Sequence, residues 1–178
     1  MLADSKSDVL ETSKRPPKSD KVWPPLSAEN RLLGLGIQLP APPHPTGTHR
    51  RAVQTGNLLF LSEMLPMEGQ FAKFVGRVCE DLDVSIARKA ARLAALNGLA
   101  VARQYLGSLD KIKRVVRLAV SVATSGDVQE YRRAADGASE LLQDVFGEEK
   151  NPTRYVYGVA SLPLGTPVAV DLIFEIDQ

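Results

Sequence analysis

The chain has 178 residues, 44% of them hydrophobic, enough for one core of ordinary domain size. Its 22 basic and 21 acidic side chains nearly cancel, which excludes a bulk electrostatic pull toward nucleic acid or a membrane surface. A lone cysteine, Cys79, excludes an internal disulfide framework and suits a reducing compartment; with no apolar run of membrane-spanning length, the expected location is the cytoplasm.

Residues 1–26 mix charges with Pro16, Pro17, Pro24 and Pro25 and offer little to bury beyond Trp23. They are expected to be a disordered tail ahead of a single domain over 27–178. Asp4, Lys6, Asp8 and Glu11 stand where a signal peptide would need an apolar stretch. Ser27 is placed to cap a short helix through Leu33, ended by Gly34 and Gly36. The proline-rich residues 40–47 read as a stiff linker. His49 to Gln54 and Leu58 to Ser62 form a predicted hairpin that turns at Thr55-Gly56-Asn57. Residues 66–83, polar and glycine-containing, are expected to be a loop with little fixed structure.

Asp83 or Ser85 caps a long predicted helix that stops at Gly107. Its apolar positions Ile86, Ala90, Leu93, Ala94, Ala100, Val101 and Tyr105 follow helical spacing, and its many alanines suggest close packing on a sheet. Lys111 to Thr124 is the longest predicted strand, with Val116, Leu118, Val120 and Val122 toward the core and Val115, Arg117, Ala119 and Ser121 opposite. Asp127 is expected to cap a second helix through Val128, Tyr131, Ala135, Ala138, Leu142, Val145 and Phe146, with Gly147 as its stop. The order β-β-α-β-α-β-β implies an α+β layer: an antiparallel-rich open sheet covered on one face by two helices. Ala119, Val159, Ala160 and Ile173 would then need cover on the second face, which a homo-oligomer supplies.

The last stretch, Asn151 to Glu175, reads as a strand, a turn at Leu162-Pro163-Leu164-Gly165, and a second strand. Arg154, Val156, Gly158 and Ala160 share one face of the first strand. On the second, Val168, Val170, Leu172 and Phe174 form an unbroken apolar face, with Asp171 opposite among Ala169 and Ile173. An arginine and an acid among apolar neighbours are costly to bury alone, so they are either a structural ion pair or the polar part of a site.

The pattern R-x-x-x-x-V-A-x-L-P from Arg154 to Pro163, with the acid-bearing strand after it, resembles the Rid family, the YjgF-type proteins also labelled reactive-intermediate deaminases or L-PSP-type endoribonucleases. Thr55-Gly56-Asn57-Leu58-Leu59-Phe60-Leu61-Ser62 resembles that family's Gly-Asn-Leu-hydrophobic-Ser strand pair, and Ala91 to Asn97 resembles a helix of its divergent YjgH-type branch. The resemblance spans about residues 30 to 176 and implies a chorismate-mutase-like fold. It also implies a homotrimer, ligand clefts between subunits, and cofactor-independent hydrolysis of imines or enamines.

By the same resemblance Arg154 would hold the carboxylate of a 2-imino acid, and Asp171, in the place of a glutamate, would position the hydrolytic water. Val156, beside Arg154, and Arg117 join the expected substrate-binding set, as does Ser62, which matches the family serine. Glu63 replaces a glycine whose backbone N–H approaches the substrate, so its carboxylate either swings outward or signals a different ligand. His49 stands where a tyrosine usually lies, as a proton-shuttling group or an exposed strand-end residue. The family's asparagine on the second helix has no clear match, Asp136 and Ser139 being nearest. The structural alternatives are a salt bridge from Arg154 to Asp171 or Glu63, and an arginine partner for Asp171 within the sheet. No metal ligand set is expected from His44 and His49, and Arg50-Arg51 with the basic residues of the tail reads as solvated surface rather than an RNA site.

Overall fold

The computed structural model describes residues 27–45, 47–125 and 129–177. The expected tail with Trp23, and the expected cap Asp127 with Val128, lie outside them. The first helix, α1 (Ala28–Gly34), opens as expected: the Ser27 side chain accepts from the Asn30 N–H at 3.3 Å. After the proline-rich segment come β1 (Ala52–Thr55) and β2 (Leu58–Leu61), paired Thr55 to Leu58 around Gly56, whose φ of 57° a glycine adopts without strain. Both strands are shorter than expected, so His49 and Ser62 fall just outside them.

The 66–83 segment is more ordered than its composition suggests. It contains a small hairpin, β3 (Met67–Glu68) and β4 (Phe71–Ala72), and it buries Val78 completely. Strands of two residues leave no alternation to detect.

Helix α2 (Val84–Leu106) ends at Gly107 in the left-handed conformation expected of a helix stop. Of its expected stripe Ala90, Ala94, Ala100 and Val101 are buried, but the larger Ile86, Leu93 and Tyr105 are not. Ala87, Ala90, Ala91, Ala94, Ala95 and Ala102 are fully buried, while Ile86 and Leu93 are only half-buried and Tyr105 is exposed. Small side chains win the inner face because the backbones come close there. A methyl group on Gly98 would lie 2.8 Å from Leu172 Cδ1.

Strand β5 (Ile112–Ala123) carries two bulges, the first at Lys113, which has no partner between the Ile112–Ile176 and Arg114–Glu175 pairs. Val115 pairs with Phe174 and Arg117 with Ile173, so Val116 is one residue more than its partner strand offers. Val115 therefore enters the core in place of Val116, and the expected alternation resumes at Leu118.

The second long helix begins later than expected. Residues 129–135 form a 3₁₀ segment, and α3 (Asp136–Phe146) follows without a side-chain cap, ending at Gly147. At Gly137 a Cβ would overlap the Arg88 carbonyl, so α2 and α3 meet backbone to backbone. Strands β6 (Thr153–Val159) and β7 (Val168–Ile176) complete a five-stranded sheet in the order β1-β2-β7-β5-β6. Only β5 and β6 are parallel, and α3 makes the crossover that a parallel pair needs. Thus β6 is an edge strand, separated from β7 by β5.

The fold is the expected α+β sheet with its helices on one face. Val168, Val170, Leu172 and Phe174 are at 0% exposure on that face, each burial worth about 1.5–3 kcal/mol. On the other face Ala119 is buried and Ile173 half-buried, but Phe60, Tyr155 and Tyr157 are exposed. No helix among the described residues is long and apolar enough to cross a membrane.

Candidate functional site

Beyond β2 the chain keeps following β7, but out of step. Phe60 pairs with Ile173 and Met64 with Val170, four steps on one side against three on the other. The extra residue makes a bulge at Ser62 and Glu63, alongside Asp171. It is pinned on both sides. Met64 N–H donates to Val170 O at 2.7 Å and Val170 N–H to Met64 O at 2.8 Å, while Ser62 N–H donates to Arg51 O at 2.9 Å.

From behind, Asn97 on α2 donates from Nδ2 to the carbonyls of Leu65 and Met67 at 2.9 and 3.0 Å. Asn97 is 1% exposed, and it satisfies two carbonyls just past the bulge. Arg51 donates to Pro43 O at 2.6 Å and to Gln104 Oε1, also on α2, at 2.8 Å, which holds the proline-rich segment beside the bulge. The result is a hollow of about 40 Å³ lined by His44, His49, Arg51, Ser62 and Glu63 among others. Three of the sequence-predicted residues, His49, Ser62 and Glu63, therefore come together.

Glu63 is exposed to solvent, yet partial desolvation of its carboxyl raises its pKa above the ordinary 4.5, and the nearby Asp171 charge adds to the rise. Asp171 projects from the open face of β7, where Arg117 Nη2 lies 3.4 Å from its Oδ2. The arginine partner considered for Asp171 thus exists, as a half-exposed pair. Arg117 also sits 6.0 Å from the ring centre of Tyr155, which stacks on Tyr157 with planes 3° apart.

Arg154 lies elsewhere. Leu118 pairs with both Arg154 and Leu172, whereas Ala119 pairs with both Tyr155 and Asp171. One residue of alternation thus puts Arg154 and Asp171 on opposite faces of the sheet. Neither suggested salt bridge, to Asp171 or to Glu63, forms. Arg154 Nη1 instead donates to Asp136 Oδ1 at 2.7 Å and Ser139 Oγ at 3.2 Å, both on α3. Nε and Nη2 make no hydrogen bond among the described residues. Val156 shares this face, half-buried against the core. Within one chain, Arg154 and Val156 do not meet His49, Ser62, Glu63, Asp171 and Arg117.

Sequence reasoning missed Asn97 as the clamp of the bulge. Its signal was an amide lying three residues from Ala94 and four from Val101 on an alanine-rich stripe, where a polar side chain must find partners. Asp136 and Ser139 were singled out as positional matches, but their service to Arg154 depends on the crossover and was not legible. No group of three or more His, Cys, Asp or Glu that could hold a metal ion occurs among the described residues.

Sheet order, the one-sided helices and the position of these residues define a known class: residues 29–176 match the family described as YjgF/chorismate mutase-like, putative endoribonuclease, and the chain belongs to it. Among individual proteins it is similar to Protein TCP17 of Trypanosoma cruzi, 38% identical over 148 residues covering 83% of this chain and 92% of that one. A crystal structure of a putative endoribonuclease from Shewanella oneidensis is 30% identical, with a TM-score of 0.81 over 85% of this chain and all of that one. The Agrobacterium tumefaciens protein Atu1372, of unknown function, is 39% identical with a TM-score of 0.76, covering 84% and 92% of the two chains.

Proposed function

We propose that the protein is a cofactor-independent deaminase that hydrolyses reactive imines or enamines in clefts between the subunits of a homotrimer. Arg154 of one copy binds the substrate's anionic group, and Asp171 of another, with Ser62, Glu63, His49 and Arg117 around it, positions water. Family membership supports small-molecule chemistry, and the separation of the two groups within one chain is what an intersubunit site requires.

The observation that carries this reading is the Arg154 guanidinium, oriented through Nη1 by Asp136 and Ser139 with its other edge open. Its side chain and that of Asp136 are 39% and 34% exposed, and such a half-open pair contributes at most about 1 kcal/mol. A charge-assisted hydrogen bond to a ligand carboxylate is worth about 1.5–3 kcal/mol, so Asp136 aims the guanidinium without preventing anion binding. The test is the decay of freshly generated 2-imino acids. Acceleration over buffer that is lost in Arg154→Ala is the expected result, with light scattering giving a trimer. No acceleration across several imino acids sinks the reading.

A second reading, a trimer that binds a small metabolite without turning it over, is favoured by the anionic Asp136 beside Arg154 and by Glu63 in the hollow. Ligands that raise the melting temperature yet pass through unchanged would establish it. The family's endoribonuclease label draws little support from the near-zero net charge of 22 basic against 21 acidic residues.

A further inference from the structure

We propose that Glu63 is a catalytic acid, delivering and recovering the proton at the substrate while Asp171 serves the water. The assignment rests on the imine-hydrolase reading above. Its basis is geometric. The bulge brings two carboxyl groups from adjacent strands to one place, and their surroundings differ.

Asp171 has the Arg117 guanidinium beside it. The Glu63 side chain has neither an ion pair nor a hydrogen bond among the described residues. The groups around it are Asp171 on β7, with Arg117 of β5 behind, and His44, His49 and Arg51 on the segment ahead of β1. Of these, Arg51 directs both Nη groups to Pro43 and Gln104. Glu63 is exposed enough to meet a substrate, while partial desolvation of its carboxyl and the Asp171 charge both favour its protonated form, as a proton donor needs. Neighbouring carboxyls in such contrasting surroundings divide acid and base work.

The proton balance closes. Protonated Glu63 gives its proton to the imine nitrogen, and water attacks the carbon while the Asp171 carboxylate takes a water proton. The C=N π pair moves to nitrogen and a carbinolamine forms. Asp171 then protonates that nitrogen, and the C–N bond breaks with its electron pair leaving on ammonia. The hydroxyl proton passes to Glu63 as the carbonyl forms. Both carboxyls are back in their starting states, and one water has been consumed for one ammonia released.

The test is a pH profile of kcat and KM for 2-imino acid decay in wild type, Glu63→Gln and Glu63→Asp, with folding checked by circular dichroism. Glu63→Gln is expected to lower kcat roughly 100-fold or more, leave KM within a few-fold, and lose the alkaline limb of the profile. Glu63→Asp should recover part of the rate and keep that limb. If wild type accelerates decay and Glu63→Gln matches it across the pH range, the acid role is overturned and the hydrolase reading stands. If wild type does not accelerate decay, both fall. Should Glu63→Gln not fold, carboxyl carbon NMR of wild type decides: the acid role requires Glu63 to titrate above 4.5, and a midpoint at or below that value overturns it.

Discussion

On the helix side of the sheet, Leu172 is fully buried and lies so close to α2 that Gly98 has no room for a methyl group. One residue earlier and on the opposite side, Asp171 remains half-exposed with an arginine for company. The first face is filled by volume matching, where small changes are felt because packing is dense. The second carries separated charges, a stacked tyrosine pair and a bulge, and its groups interact through a partly aqueous medium. Asp171 and Arg117 lie on this second face, whereas Arg154 lies on the helix side, bonded to Asp136 and Ser139 of α3.

The largest expected effect comes from crowding the packed face. Gly137→Val drives a side chain into the Arg88 carbonyl and should cost about 3 kcal/mol or more, read by urea unfolding. The sharpest contrast comes from adjacent residues. Leu172→Ala should cost about 2–5 kcal/mol, and Asp171→Ala less than about 1 kcal/mol. A loss above about 2 kcal/mol at Asp171 would mean that the two faces are equally packed and would break the comparison.

Asn97→Ala falls between them. It strands the Leu65 and Met67 carbonyls and should cost about 2 kcal/mol, with the change in exchange protection concentrated at residues 62–67. A pH effect is smaller. Because the folded-state pKa of Glu63 is raised, the fold favours its protonated form. That stability is fully present below 4.5 and is lost as pH rises through the raised value. Glu63→Gln, neutral throughout, should therefore gain in melting temperature over wild type at neutral pH and show no gain below 4.5. A gain that is uniform with pH would place its origin elsewhere. Smallest of all, Glu68→Gln removes the exposed salt bridge to Lys73 and should change stability by about 0.5 kcal/mol or less.

Much of the scaffold was legible. Ser27, Gly56, Gly107 and Gly147 each mark a start, turn or stop by local chemistry, and the apolar face of β7 follows from strict alternation. The α2 stripe was less so. Its alanines were expected to pack closely on the sheet and do, but Ile86, Leu93 and Tyr105, expected beside them, are only half-buried or exposed. Of the candidate residues, the chain itself gathers His49, Ser62 and Glu63 around one hollow, and it places Arg117 beside Asp171. The partner of Arg154 was not foreseeable, because Asp136 reaches it only through the crossover of α3.

What the sequence by itself determined, then, was the kinds and order of the longer elements, the α+β class and the family, because capping, turn formation and alternation act over a few residues. Only tertiary structure decided whom each polar residue meets, and which face the β5 residues ahead of its bulges take. A single extra residue in the 62–63 segment or in β5 changes the register of everything beyond it. Bulges and crossovers are settled by long-range packing, and no local pattern of residues encodes them.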